Sequence, residues 1–232
     1  MGERLLGKRV LVTNADRYGG PPVCELFAKE GAEVIADTSD YLDPETPRRV
    51  VAEAGHIDVL VANFAGPLRI MPFTKMLGPV QDAPDADFQS YLDELTWPFI
   101  RFIQAVLPQM IERRQGKIVG ITSASTLRAI PGLAVYTAAR GAQNAFVMVT
   151  GAEVAPHNVQ VNAIAPAFFE NNTYFTPEML ADPAIRQSLV DNIPAGRIGE
   201  GYEGAELVLS LAGDASNFLA GQVIAFSGGW AQ

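Results

Sequence analysis

The 232-residue sequence predicts one α/β domain spanning residues 1–232, built as a doubly wound parallel sheet with helices on both faces. Three observations carry that expectation. Short apolar runs of strand length alternate with segments of helical periodicity along the chain. The runs are nearly continuous rather than alternating, as strands buried on both faces must be. No internal repeat and no low-complexity linker interrupts the series.

Lys8 to Thr13 reads as the first buried strand, and Pro21 to Glu30 as a helix stopped by Gly31. Glu33 to Asp37 is the second strand, Pro47 to Ala54 the second helix, and Ile57 to Asn63 the third strand. Phe88, Leu92, Leu95, Phe99, Phe102, Ile103 and Val106 then recur at helical spacing through Pro98. That proline lacks an N–H, so the helix is expected to bend there. Gly116 leads into the strand Lys117 to Thr122, Tyr136 to Ala155 is helical, and Val159 to Ala163 and Gln222 to Phe226 complete the strands. In such sheets ligands sit outside the carboxyl ends of the strands, where Thr13, Asp37, Asn63, Ser123 and Pro166 gather. The stretches Gly66 to Asp87 and Ala167 to Pro183 lack periodicity, follow strands at that edge, and are expected to wall or cover a pocket.

Charge and composition narrow the function. With 26 acidic and 17 basic residues the net charge is −9, and no basic cluster is available to neutralise phosphates, which argues against nucleic acid. No long apolar run suggests a membrane span or secretory signal, so a cytoplasmic protein is expected. The single cysteine, Cys24, lies among Val23, Leu26 and Phe27, where a buried inert thiol is the simpler expectation. Two isolated histidines, His56 and His157, do not make a metal site. Asp82, Asp85 and Asp87 read as a solvated charge run. Trp97 and Trp230 are expected at a core or an interface.

Tyr136 and Arg140 are four residues apart and share a helical face, so the guanidinium lies close to the phenol. A cation fixed there favours the phenolate, the state a general base requires. Ser123, ending the neighbouring strand, is placed to hydrogen-bond the same substrate oxygen; Ser125 competes for that role. An isolated pair at this spacing is more often a surface contact stabilising by a few tenths of ~1 kcal/mol. The first turn, Leu11 to Gly20, is unusual. Thr13 or Asn14 stands where a dinucleotide-binding turn carries its first glycine, and Tyr18 crowds the middle. Asp37 stands where an acidic residue would hold an adenosine ribose, although it equally suits bracing a local turn.

Taken in order, Ile57-Asp-Val-Leu-Val-Ala-Asn63, Leu107-Pro108, Gly116-Lys-Ile-Val, Ser123, Tyr136-x3-Arg140, Val161-Asn-Ala-Ile-Ala-Pro166 and Gly221-Gln222 resemble the short-chain dehydrogenase/reductase superfamily across the whole chain. Thr13-x4-Tyr18-x-Gly20 with Ser123-x12-Tyr136-x3-Arg140 resembles one branch, the halohydrin dehalogenases. The resemblance implies a Rossmann-like fold and a homotetramer or homodimer, in which Trp230, near the carboxyl terminus, would reach a pocket of a neighbouring subunit. It implies Tyr136 as base, Ser123 and Arg140 as its partners, and a halide site on Pro166, Ala167, Phe168 and Phe169 with Tyr18 lining the vacated nicotinamide region. It implies no cofactor and no metal. Vicinal halo-alcohols would close to epoxides with halide release, and azide, cyanide or nitrite would open epoxides in reverse. Departures from the reductase pattern agree: arginine replaces lysine, Glu94 replaces a helix asparagine, and Pro166-Ala167 replaces proline-glycine. The alternatives are an NAD(P)-dependent reductase with an altered glycine turn and a catalytically silent scaffold.

Overall fold

A computed structural model describes residues 3–66 and 78–231. The central part of the expected pocket wall Gly66 to Asp87, residues 67–77, lies outside the described residues. Strands β1 (Arg9–Thr13), β2 (Glu33–Asp37), β3 (Val59–Asn63), β4 (Gly116–Ile121), β5 (Val159–Pro166) and β6 (Val223–Phe226) form one sheet in the order β2-β1-β3-β4-β5-β6. Every neighbouring pair is parallel. These are the six strands expected from the apolar runs, and the fold is Rossmann-like.

The near-continuous apolar runs arise because successive side chains go to opposite faces and both faces are covered. Val10, Val12, Val59 and Val61 pack with Val23, Leu26 and Phe27 of α1 (Gly20–Lys29) and with Ala205, Val208 and Leu209 of α8 (Gly201–Ala212). Leu11, Leu60 and Ile118 point the other way. They meet Val50 and Val51 of α2 (Thr46–Ala54), Phe99 and Phe102 of α4 (Trp97–Arg113), and Ala139 and Val147 of α5 (Ala134–Val154). Each fully buried aliphatic or aromatic side chain contributes ~1.5–3 kcal/mol.

The helix expected to bend at Pro98 is divided. α3 (Asp85–Tyr91) passes through a π-helical turn, Leu92–Thr96, into α4. Pro98 has no N–H for the carbonyl four residues earlier, and the widened turn absorbs the missing bond. Residues 184–220 carry no expectation from sequence, yet they supply most of α7 (Pro183–Val190), which follows the short α6 (Pro177–Leu180), and all of α8. Local signals for both were present. Asp182 caps α7 by accepting from the N–H groups of Ala184 and Ile185, with Pro183 starting the helix, and Glu200 and Glu203 form a capping box at α8.

The strand order reverses between β1 and β3, so a crevice opens at their carboxyl ends. Thr13 closes it from below. Its hydroxyl donates to Asn63 O at 2.9 Å and accepts from Asn63 N at 3.0 Å.

Candidate active site

A cavity of about 40 Å³ opens beyond the carboxyl ends of β4 and β5. Tyr18, Ser123, Tyr136, Pro166, Ala167 and Phe168 line it, which brings together six of the eight residues singled out from sequence. Arg140 stands behind the wall and Phe169 beneath it. Ser125, the competing serine, and Trp230 also line the cavity, together with Ile130, Leu133, Tyr174 and Phe175, for which no site role is expected from sequence.

Arg140 is fully buried and pairs with no carboxylate among the described residues. Its Nε–H donates to the Tyr136 phenol oxygen at 3.1 Å. Its remaining donors reach Gln143 Oε1 at 3.0 Å, Phe64 O at 3.0 Å and Ile121 O at 3.4 Å. These oxygens solvate the cation without neutralising it. Burial alone would lower its basicity, but the Tyr136 oxygen that it bonds outweighs burial and holds Arg140 charged. Hydrogen bonds to charged groups contribute ~1.5–3 kcal/mol, so negative charge on the Tyr136 oxygen has a preorganised partner.

Ser123 leaves β4 in extended backbone with φ −158°, and its Oγ accepts the Ser125 N–H at 3.2 Å. The two hydroxyls share a bond of 3.1 Å, Ser123 donating. Both serines therefore face the cavity, with Ser123 at the family spacing.

Tyr18 and Tyr174 wall the side nearest the first turn. The Tyr18 hydroxyl donates to Thr122 O at 3.2 Å, and its ring lies 5.2 Å from those of Tyr174 and Phe169. Tyr174 donates to Gly66 O at 3.0 Å and accepts Gly66 N–H at 2.9 Å. Burial, reinforced by Tyr136, pushes both phenols well above the ordinary tyrosine value, with Arg140 only partly offsetting it. Both stay protonated. The signal for Tyr174 was present in the sequence as an aromatic in the aperiodic stretch after β5, but nothing local distinguished it from Phe175.

Past Pro166 the chain alternates. Phe168 faces the cavity, between the rings of Phe175 at 5.5 Å and Trp230 at 5.4 Å. Phe169 does not reach it: an isolated parallel bridge to Gly199 continues the strand-like alternation and turns that ring into the core under Tyr18 and Phe226. The Ala167 N–H is spent on Phe226 O at 3.0 Å, whereas the Phe168 N–H has no partner among the described residues. Trp230 lines this chain's own cavity.

The other sequence features settle in plain roles. Cys24 is half-buried, its thiol pushed up to about 11 by burial. His56 lies 3.0 Å from Asp58 at the surface, and no metal-binding cluster occurs among the described residues. Trp97 is exposed with Arg101 over its ring at 5.4 Å. No described helix is long and apolar enough to cross a membrane.

A sequence profile described as enoyl-(acyl carrier protein) reductase matches residues 6–231. The 3-oxoacyl-(acyl-carrier-protein) reductase FabG of Thermotoga maritima is 33% identical, over 97% of this chain and 98% of that protein. A solved structure described as a dehalogenation enzyme is 30% identical with a TM-score of 0.90, covering 98% of this chain and 100% of that one. A gluconate 5-dehydrogenase from Burkholderia cenocepacia, solved in complex with NADP and tartrate, is 25% identical with a TM-score of 0.84, covering 98% of this chain and 96% of that one.

Such a coenzyme sets its diphosphate on the amino terminus of α1, where free N–H groups are needed. Here those of the first helical turn are absent or occupied. Pro21 and Pro22 have none, the Gly20 N–H donates to Arg17 O at 3.0 Å, and the Val23 N–H turns to Gly19 O at 3.4 Å. The Tyr18 N–H is taken by Thr173 Oγ1 and Asn172 Oδ1. Asp37 accepts from Tyr41 at 2.6 Å and Ser39 at 2.7 Å, which occupies the carboxylate that would hold a ribose. The residues present do not fit a dinucleotide. In fold, in the order of its motifs and in overall similarity, the chain nevertheless belongs to the short-chain dehydrogenase/reductase superfamily.

Proposed function

We propose that this chain is a cofactor-independent halohydrin dehalogenase, acting on vicinal halo-alcohols. The observation that carries the proposal is the buried Arg140 guanidinium donating to Tyr136 beside a mostly aromatic cavity, with the α1 amino terminus stripped of donors. Tyr136, as phenolate, takes the proton of the substrate hydroxyl while Ser123 holds the oxygen. The oxygen then attacks the adjacent carbon: the C–O bond forms as the C–halogen bond breaks, and halide leaves with the bonding pair. The proton passes from Tyr136 to water, so halohydrin yields epoxide, halide and a proton. The free N–H of Phe168, with Pro166, Ala167 and Tyr18, forms the leaving-halide side. In reverse, Tyr136 protonates the opening epoxide while azide, cyanide or nitrite attacks.

Assembly as a homotetramer or homodimer belongs to the same proposal, supported by exposed Met148 and Val149 on α5. The competing proposal, an NAD(P)-dependent reductase, draws on the names of the T. maritima and B. cenocepacia relatives, and the occupied first turn tells against it. One experiment separates them. Purified protein is expected to release bromide from a simple bromohydrin without coenzyme, and to give no saturable heat with NAD or NADP. Coenzyme-dependent alcohol oxidation without halide release would select the reductase.

A further inference from the structure

We propose that Trp230, held in place by Arg128, is the specificity-determining wall of the cavity, and that releasing Arg128 enlarges the space available to substrate. The substrate class rests on the dehalogenase proposal; the wall itself does not. The cavity of about 40 Å³ holds roughly three waters by the same measure. A two-carbon halohydrin, with its oxygen and halogen, already fills a space of this size, so a bulkier substrate requires a wall to yield.

Most walls are anchored to the core. Tyr18 is bonded to Thr122 O, Tyr174 to both polar groups of Gly66, and Tyr136 to Arg140. Pro166 ends a central strand and is fully covered. Trp230 stands on a different footing. It is carried by the turn after β6, in which Gly228 and Gly229 adopt left-handed backbone with φ 58° and 86°. Most of the turn's bonds are internal: Trp230 N–H to Ser227 O at 3.0 Å, Ser227 Oγ–H to Ala231 O at 2.9 Å, and Ala231 N–H to Ser227 Oγ at 3.1 Å. It meets its neighbourhood through Ala195 N–H donating to Gly228 O at 3.0 Å and through the packing of Trp230 and Ala231 on Ala124, Ala165 and Phe168, with no side-chain hydrogen bond to the core among the described residues.

Arg128 joins this turn to the catalytic segment. It lies five residues after Ser123 on the connection into α5, its Nη1 donates to Trp230 O at 2.7 Å, and its guanidinium sits 5.0 Å from the indole centroid. The side chain is exposed and forms no ion pair among the described residues. One solvent-accessible cation thus grips the backbone and the ring of the same residue. Contacts of this kind are weak enough in water to open and reclose. The planar fork matters, since it stacks and donates at once.

Bromide release is measured from 2-bromoethanol and from the bulkier 2-bromo-1-phenylethanol. The bulky-to-small ratio of kcat/KM is expected to rise about tenfold or more in Trp230→Ala and in Arg128→Ala, with Arg128→Lys between these and the wild type. An unchanged ratio in both alanine variants overturns the proposal. A second readout needs no turnover. With Trp97→Phe leaving Trp230 as the sole tryptophan, Arg128→Met is expected to raise acrylamide quenching several-fold; unchanged quenching overturns the latch. Should the wild type release no bromide from either substrate, the dehalogenase proposal fails and quenching alone decides the latch.

Discussion

Tyr18 donates its backbone N–H to Thr173 Oγ1 at 2.9 Å, across 155 residues of sequence. The bond closes the turn after β1 onto the loop after β5, and the Asn172 side chain seconds it at 3.0 Å while donating to Asp16 O. Tyr18 itself sits at φ 55°, a left-handed conformation that costs a tyrosine energy unless neighbours hold it. The first turn is therefore spent on fixing a cavity wall.

Replacing both acceptors, Asn172→Ala with Thr173→Val, is expected to cost about 1–3 kcal/mol of stability by urea unfolding. Turnover should fall further than stability, because Tyr18 and Tyr174 are the walls released. Full activity in the folded double variant would show that the tie is dispensable.

At the acid/base pair, Tyr136→Phe is expected to fold normally and lose halide release by at least about a hundredfold. Arg140→Lys retains charge but loses the fork that holds Gln143, Phe64 O and Tyr136 together. Halide release is expected to fall about tenfold or more in the folded variant, because the Tyr136 oxygen loses its oriented donor. Wild-type turnover in that variant would remove Arg140 from the mechanism.

The two phenylalanines after Ala167 should separate cleanly. Phe169 is core, packed on Tyr18 and Phe226, so Phe169→Ala is expected to cost ~3–5 kcal/mol in unfolding experiments. Phe168 is only half-buried at the cavity, and Phe168→Ala is expected to weaken azide saturation in epoxide opening with a smaller loss of stability. Equal effects on both properties would contradict the alternation.

Lys117 supplies a pH test of stability alone. Burial pulls its amine down to about 8 from 10.5, with Asp214 opposing and Lys8 assisting. Between those values the unfolded chain binds more protons than the folded one, so stability is gained as pH rises through the window and the burial cost is greatest below about pH 8. The stability of the wild type relative to Lys117→Met is expected to increase between about pH 7 and pH 10 in urea titrations. A flat or falling difference would show that the bonds to Ser216 and Asn217 keep the amine at its ordinary value.

Much of this protein is local and hence legible from sequence. Strands buried on both faces must be apolar at nearly every position, so all six stood out as runs, and their carboxyl ends marked the site edge. Tyr136 and Arg140 share a helical face whatever surrounds them, because four residues are close to one turn. Ser123 follows from the end of β4. The loss of donors at α1 was also written locally, in Pro21 and Pro22.

Other facts required the chain to fold. Tyr174 and Trp230 enter the cavity from segments whose sequence shows no period, and their contacts with Gly66 and Arg128 join residues more than a hundred positions apart. Phe168 and Phe169 are identical in chemistry and adjacent in sequence. Only the bridge to Gly199 decides which faces the cavity, because side-chain direction in extended chain is set by the partner that fixes its register. Sequence alone determined which residues were available for chemistry. The tertiary structure decided which side of the wall each one occupies, since burial and hydrogen-bond partners are properties of neighbours that the chain meets only on folding.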